Sequence, residues 1–322
     1  MDAATGIFWR NNDHFAEVFS RTAFRDHPIR PSDLQPYDSV EDAILRMRDG
    51  AHITLKQTRD VVKALKDETR LVILGAENMT WIDYTMAFRV LSLDFINIAR
   101  QVSEIQGRNL RKWKRSSRDY SNDEYLSRFY RKDRIKPVIT LVIYYGQKPW
   151  DGPQSLADMM EDGPFKRYAS EYPIYILDVR HMKKELLEEF SPGLKAFFGY
   201  LIYENTDHLR TFVEENHAVF EDFPEQAIDA LIEITRSKYL EVYKKENRTG
   251  RGGVNILDGN QIYAEKYADQ REKRTFVEAY QSLHQTLSDT TTAFITRFQI
   301  KDEKEAENEV RKYWVVDGDG SH

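Results

Sequence analysis

The chain contains no cysteine. That absence removes disulfides, thiolate zinc ligands and cysteine nucleophiles together, and it suits a reducing, cytoplasmic setting. Long apolar runs are missing too: the longest, around residues 138–145 and 196–203, fall far short of the roughly 20 residues that a membrane-spanning helix needs. The first residues show no basic flank followed by an apolar stretch, so no secretory signal is expected. The eight histidines have no HExxH spacing and no GxSxG occurs, which leaves zinc-peptidase and serine-hydrolase readings without support. No internal repeat or low-complexity tract stands out. These absences describe a soluble cytoplasmic protein with no membrane partner.

What is present is an ordinary globular composition with an uneven charge. At 322 residues, 41% hydrophobic and 31% charged, the chain has ample material for a core and a soft expectation of about two domains. The net charge of −6 argues against nucleic acid as a partner, but its distribution does not. Residues 108–136 hold 11 Lys or Arg against 4 Asp or Glu, a local charge of +7 that leaves −13 for the rest. Trp113, Tyr120, Tyr125, Phe129 and Tyr130 are interleaved with those basic residues. Arg111, Lys112, Lys114, Arg115 and Arg118 are therefore candidates for DNA phosphate contacts, with the aromatics offering stacking faces. A solvated connector between two elements is the plainer reading of the same run.

Periodicity gives the elements coarsely. A helix is expected near 11–24, and a second over 40–49, opened by Ser39 with Asp42 three residues later. Residues 52–66 (HITLKQTRDVVKALK) and 70–77 (RLVILGAE) read as two strands of an antiparallel hairpin. In the helix that follows, Phe88, Leu91, Phe95, Ile98, Val102 and Ile105 recur at spacings of three and four and predict one continuous core stripe. Strands are expected at 137–145 and at PIYILD (173–178), and helical patterns from Lys183 onward. Thr249-Gly250-Arg251-Gly252-Gly253 is the clearest linker signal. The expected division is a core over 1–190, a helical extension over 191–248, a flexible linker over 249–259 and a small helical segment over 260–322.

The hairpin carries the chemistry. Asp60 lies inside the first predicted strand and Glu77 closes the second, and neighbouring strands sit about 4.8 Å apart. Two such carboxylates with a main-chain carbonyl, here that of Asn78, form the small set of hard oxygens that Mg²⁺ accepts, leaving positions for water and phosphate. The bland alternative is a pair of exposed polar residues at a strand end. Arg89, on the helix after the hairpin, could pair with Glu77 or meet a phosphate. Gln101 could cap a network or touch substrate.

Asp60, Glu77-Asn78-Met79, Asp83, Met86, Arg89, Asp94 and Gln101-Val102 together resemble the PD-(D/E)XK nuclease family of putative transposases, the Rpn-type recombination-promoting nucleases. The likeness extends upstream through Phe15-Ala16-Glu17-Val18-Phe19 with Phe24, Ile29, Pro31 and Leu34. Downstream it takes in Pro137 to Gly146 with Trp150, Pro153 and Leu156. A weaker likeness runs from Phe298-Gln299-Ile300 to Trp314. The resemblance is closest over residues 8–160 and thinnest over 205–295. It implies an α/β fold with a restriction-endonuclease-like mixed sheet flanked by helices and followed by helical C-terminal segments. Function would be Mg²⁺-dependent DNA endonuclease activity, with Mn²⁺ able to substitute. Asp60 and Glu77 would be the catalytic metal ligands, assisted by Asn78, and Glu17 an outer or second-metal ligand rather than a plain surface carboxylate. One departure bears on chemistry: the family carries Gln, and the wider superfamily Lys, where this chain has Met79. A thioether cannot donate a hydrogen bond to an attacking water, so cleavage would be weakened unless Arg89 or Gln101 takes over that role, and Met79→Gln would be expected to raise it. The alternatives are a non-catalytic nucleic-acid-binding or regulatory protein that keeps the fold, and a protein-interaction module. The oligomeric state stays open.

Overall fold

The computed structural model describes residues 3–37, 40–46, 52–67, 70–113, 121–204, 206, 208–257, 272–283, 285–300 and 302–314. Two helices, α1 (Ala3–Arg10) and α2 (Asn12–Arg21), precede the strands. Strands β1 (Leu34–Pro36), β4 (Val61–Asp67), β5 (Arg70–Met79), β6 (Val138–Tyr144) and β7 (Tyr175–Asp178) form a five-stranded sheet in the order β1-β4-β5-β6-β7. The β1–β4 and β4–β5 pairs are antiparallel, whereas β5, β6 and β7 run parallel, so the sheet is mixed. Between β1 and β4 the chain makes a separate antiparallel ribbon of β2 (Val40–Arg46) and β3 (His52–Thr58). Among the described residues no helix is long and apolar enough to cross a membrane. The expected mixed α/β sheet with flanking helices and C-terminal helices is the observed fold.

Period-two alternation places the two faces. Leu74, Ala76, Leu141, Ile143 and Leu177 turn to one side, where they meet Trp9, Phe15 and Phe19 of α1 and α2. Helices α4 (Pro192–Tyr203) and α5 (Glu225–Thr235) complete this same core, with Phe8 stacked on Phe197 at 4.2 Å and the Thr5 amide on Glu233 at 2.7 Å. Residues 191–256 therefore share one core with the N-terminal helices. The turn expected as a flexible linker is folded: the Thr249 amide bonds the Gly253 carbonyl at 2.8 Å, and Val254 and Ile256 are buried. Residues 258–271 lie outside the described residues. The C-terminal helices pack on one another around Val277, Phe294, Ala306 and Val310.

The other face belongs to α3 (Met86–Trp113). Asp83 shapes the turn that leads into it, accepting from the Thr85 amide at 2.8 Å and its hydroxyl at 2.6 Å. Ala87 and Val90 pack on Val142 and Tyr144, Asp94 bonds Thr140, and Gln101 bonds Lys136, so α3 runs antiparallel to β6. Its buried face is thus Met86, Ala87, Val90, Leu93, Asp94, Asn97, Gln101, Ile105 and Asn109. The predicted stripe is corrected: Phe88 and Phe95 are exposed, and of that series Ile105 alone is buried. Four polar residues on the packed face moved the true stripe away from the apolar periodicity.

Two further expectations fail. Residues 40–46 form a strand instead of a helix, because they pair along their full length with 52–58. Residues 52–66 are two strands, not one, broken at Arg59 and Asp60. At the break Arg59 turns inward, fully buried, and its guanidinium bonds Thr140 and Asp94, the latter at 2.6 Å. It crosses β5 at Gly75, where a Cβ would collide with the guanidinium. Thr140 and Tyr172 also donate to Asp94, at 2.7 and 2.6 Å. The ion pair is desolvated, so removing one partner should cost more than removing both. Arg59→Met is expected to lose about 3–5 kcal/mol of stability, and Arg59→Met with Asp94→Leu to recover most of it in urea denaturation. A double variant as unstable as the summed singles would contradict this account.

Candidate active site

Asp60 sits one residue before β4. Since Val61 pairs with Ala76, continuing the register sets Asp60 opposite Glu77 at the carboxyl end of β5. The Asn78 amide N–H donates to Asp60 Oδ2 at 2.8 Å and the Asn78 side-chain Nδ2 does so at 3.2 Å. That amide is itself oriented from the α1 side of the sheet. Tyr145 donates its hydroxyl to Asn78 Oδ1 at 2.9 Å and accepts from Trp9 Nε1 at 2.7 Å. Burial pushes the Tyr145 phenol well above its ordinary pKa, so it remains a neutral donor. Both bonds to Asp60 fall on the same oxygen, and a buried chain from Trp9 fixes the carboxylate's orientation.

Glu77 turns to the α3 face and is 1% exposed. Arg89 Nη2 donates to its Oε2 at 2.9 Å. Its Oε1 is buried without a hydrogen-bond partner. Burial first, and then the Asp60 charge, push the Glu77 carboxyl up to about 7, against the opposing pull of Arg89 and Arg59. An unpartnered buried carboxylate oxygen beside a second carboxylate is a donor set suited to a hard divalent cation. Among the described residues no group of three or more His, Asp or Glu is placed to hold a metal. The protein's share would thus be two carboxylates, a number that Mg²⁺ accepts when water and phosphate complete its octahedron.

The remaining candidates are spread through the fold. Glu17 is engaged elsewhere: its carboxylate accepts from the Ser191 amide at 2.5 Å and hydroxyl at 2.6 Å, ahead of α4. Met79 is buried against Met86, Ala87, Val90 and Val142, so the position read as the water-holder is part of an apolar cluster. Gln101 is also buried, donating to Asn97 at 3.0 Å and accepting from the Lys136 amide at 2.7 Å; it clamps the chain that enters β6. Arg111 and Lys112 are exposed in the last turn of α3. At about 1.5 Å rise per residue they lie roughly 33 Å along the helix from Arg89. Arg111 and Lys112 therefore lie at the opposite end of α3 from Arg89 and Glu77 and are not their neighbours. Lys114, Arg115 and Arg118 lie outside the described residues.

Sequence reasoning passed over Arg59, Trp9 and Tyr145. Arg59 carried a faint signal, a cation immediately before a candidate ligand; Trp9 and Tyr145 carried none, being 136 residues apart and joined by one hydrogen bond. The Glu77 shift has a pH consequence. With its folded pKa above its unfolded value, Glu77 stabilises the metal-free protein at low pH, and that contribution is lost as pH rises from about 4.5 through 7. Urea unfolding in EDTA should show stability falling by about 2–3 kcal/mol over that range, and Glu77→Gln should flatten the curve. An unchanged slope in Glu77→Gln would show that another group titrates.

Residues 120–226 match the model of a family described as "Putative transposase, YhgA-like". No curated protein and no solved structure matches the chain. The matched range covers the approach to β6, the sheet from β6 to β7 and the helices up to the start of α5, and it begins beyond Asp60, Glu77 and Arg89. Over that third of its length the chain is similar to the YhgA-like putative transposase family, in keeping with the resemblance read from the sequence.

Proposed function

We propose that this protein hydrolyses phosphodiester bonds in DNA, as a transposase-like nuclease whose Asp60 and Glu77 hold Mg²⁺, with Mn²⁺ able to replace it. The observation that carries this reading is the buried, unpartnered Oε1 of Glu77 beside the Asp60 charge. A cation held there would supply Lewis-acid polarisation of a phosphate and a bound water of lowered pKa.

The chain's own groups prepare that site. Arg89 fixes Glu77 by Oε2 and leaves Oε1 for the cation, while its partly exposed guanidinium is placed to meet a phosphate oxygen. Asn78 orients Asp60 through its N–H and side chain, a contribution separate from that of its carbonyl. Met79 closes the apolar contact between β5 and α3 and so contributes packing in place of hydrogen bonding. Arg89 is then the remaining candidate to steer the attacking water, since Gln101 is committed to Lys136. A second reading, DNA binding without hydrolysis, is favoured by that same burial of Met79.

Asp60→Ala and Glu77→Ala should each abolish Mn²⁺ binding in calorimetric titration and plasmid nicking with either metal, while leaving DNA binding in EDTA intact. Unchanged Mn²⁺ affinity in both variants would sink the site, and normal metal binding without nicking would favour the second reading. Met79→Gln should lower stability by about 1–3 kcal/mol, the cost of burying an amide, and should not accelerate nicking. A large gain in rate would restore position 79 to the mechanism.

A further inference from the structure

Three large aromatic side chains that follow Glu77 closely in the chain stand in water. Trp81 is 59% exposed, Tyr84 60% and Phe88 57%. Such side chains normally bury most of their surface, and their neighbours here do so: Met86, Ala87 and Val90 are packed inside against Val142 and Tyr144. The exposed rings are therefore not a surplus of the core but a separate outward set. Phe95, 45% exposed and two turns beyond Phe88, continues it along the same side of α3.

Their position is fixed by the chain. The loop carrying Trp81 and Tyr84 leaves the carboxyl end of β5, four and seven residues after Glu77, and Phe88 immediately precedes Arg89, whose guanidinium rests on Glu77. This end of the parallel strands β5 and β6 is where ligands of open α/β sheets bind. The loop is also tied down: Asp83 accepts from the Thr85 amide at 2.8 Å, and the Tyr84 hydroxyl bonds Asp151 at 3.0 Å, anchoring the ring by its edge.

We propose that Trp81, Tyr84 and Phe88 form a stacking platform for unpaired nucleobases, so that the strand presented to Asp60 and Glu77 is single-stranded or locally opened DNA. The proposal rests on the phosphodiesterase reading of that site and adds the substrate class. Aromatic faces bind any base by stacking, and a guanidinium alongside meets the phosphate between successive bases. Duplex DNA hides those base faces against one another, so a platform of rings discriminates against it where a basic groove alone would not. A second copy of this chain is the competing occupant, and the experiment separates the two.

Full-length protein in EDTA is titrated with a fluorescent oligothymidylate and with a duplex of the same length at equal salt. The oligothymidylate should bind at least about tenfold more tightly, and Trp81→Ala and Phe88→Ala should each weaken it by about tenfold, the scale of one lost stacking contact. Duplex affinity and Mn²⁺ affinity should be unchanged in both variants, and Trp81→Phe should keep most of the binding. Equal affinity for the two DNAs, or oligothymidylate binding indifferent to the alanine variants, overturns the proposal. Sedimentation showing a dimer that Trp81→Ala dissociates overturns it too and assigns the platform to self-association. Failure of the underlying reading looks different: wild-type protein would neither bind Mn²⁺ nor nick plasmid, yet the Trp81-dependent preference for oligothymidylate would persist.

Discussion

The ion pair between Arg59 and Asp94 is the constraint on which this structure turns. It joins the break between β3 and β4 to the middle of α3, passes across β5 at the one position without a Cβ, and takes in Thr140 of β6. Buried charge tolerates little variation in geometry, since an unpaired member costs several kcal/mol. The pair therefore sets the rotation of α3 against the sheet. It also sets where the strand breaks, and hence where Asp60 stands.

Around that fixed point the two candidate ligands are supported from opposite faces of the sheet. Asp60 is oriented by Asn78, Tyr145 and Trp9 on the α1 side, whereas Glu77 is held by Arg89 on the α3 side. Each carboxylate has its orientation set by a neighbouring hydrogen-bond donor, the arrangement that would keep a weakly held cation in one geometry. Glu77 bears the electrostatic consequence, with burial and Asp60 raising its pKa against two arginines. On the same short stretch of chain, aromatic rings stand outside and Met79 is packed inside.

Charge is distributed along α3 to match. The carboxylates gather at its N-terminal end and the exposed Arg111 and Lys112 at its C-terminal end, where cations also suit the helix dipole. Segment 121–136 folds back on that end through Asn109, Gln106 and Gln101, so much of the basic run is a structured return to β6.

The sequence by itself determined the β4–β5 hairpin, the β6 and β7 strands, the long helix after the hairpin and the helical C-terminal part, because each is an uninterrupted local pattern of apolar periodicity. It also singled out Asp60, Glu77 and Arg89, which stand close together in the chain. Only the tertiary structure decided which face of α3 is buried, since Asp94, Asn97, Gln101 and Asn109 are covered by partners far away in sequence. The same holds for β2, whose strand state comes from pairing and not from its own residues, and for Met79, whose burial depends on how α3 docks. The relay from Trp9 to Asp60 belongs to this second class as well: hydrogen bonds between segments leave no period for a sequence to display.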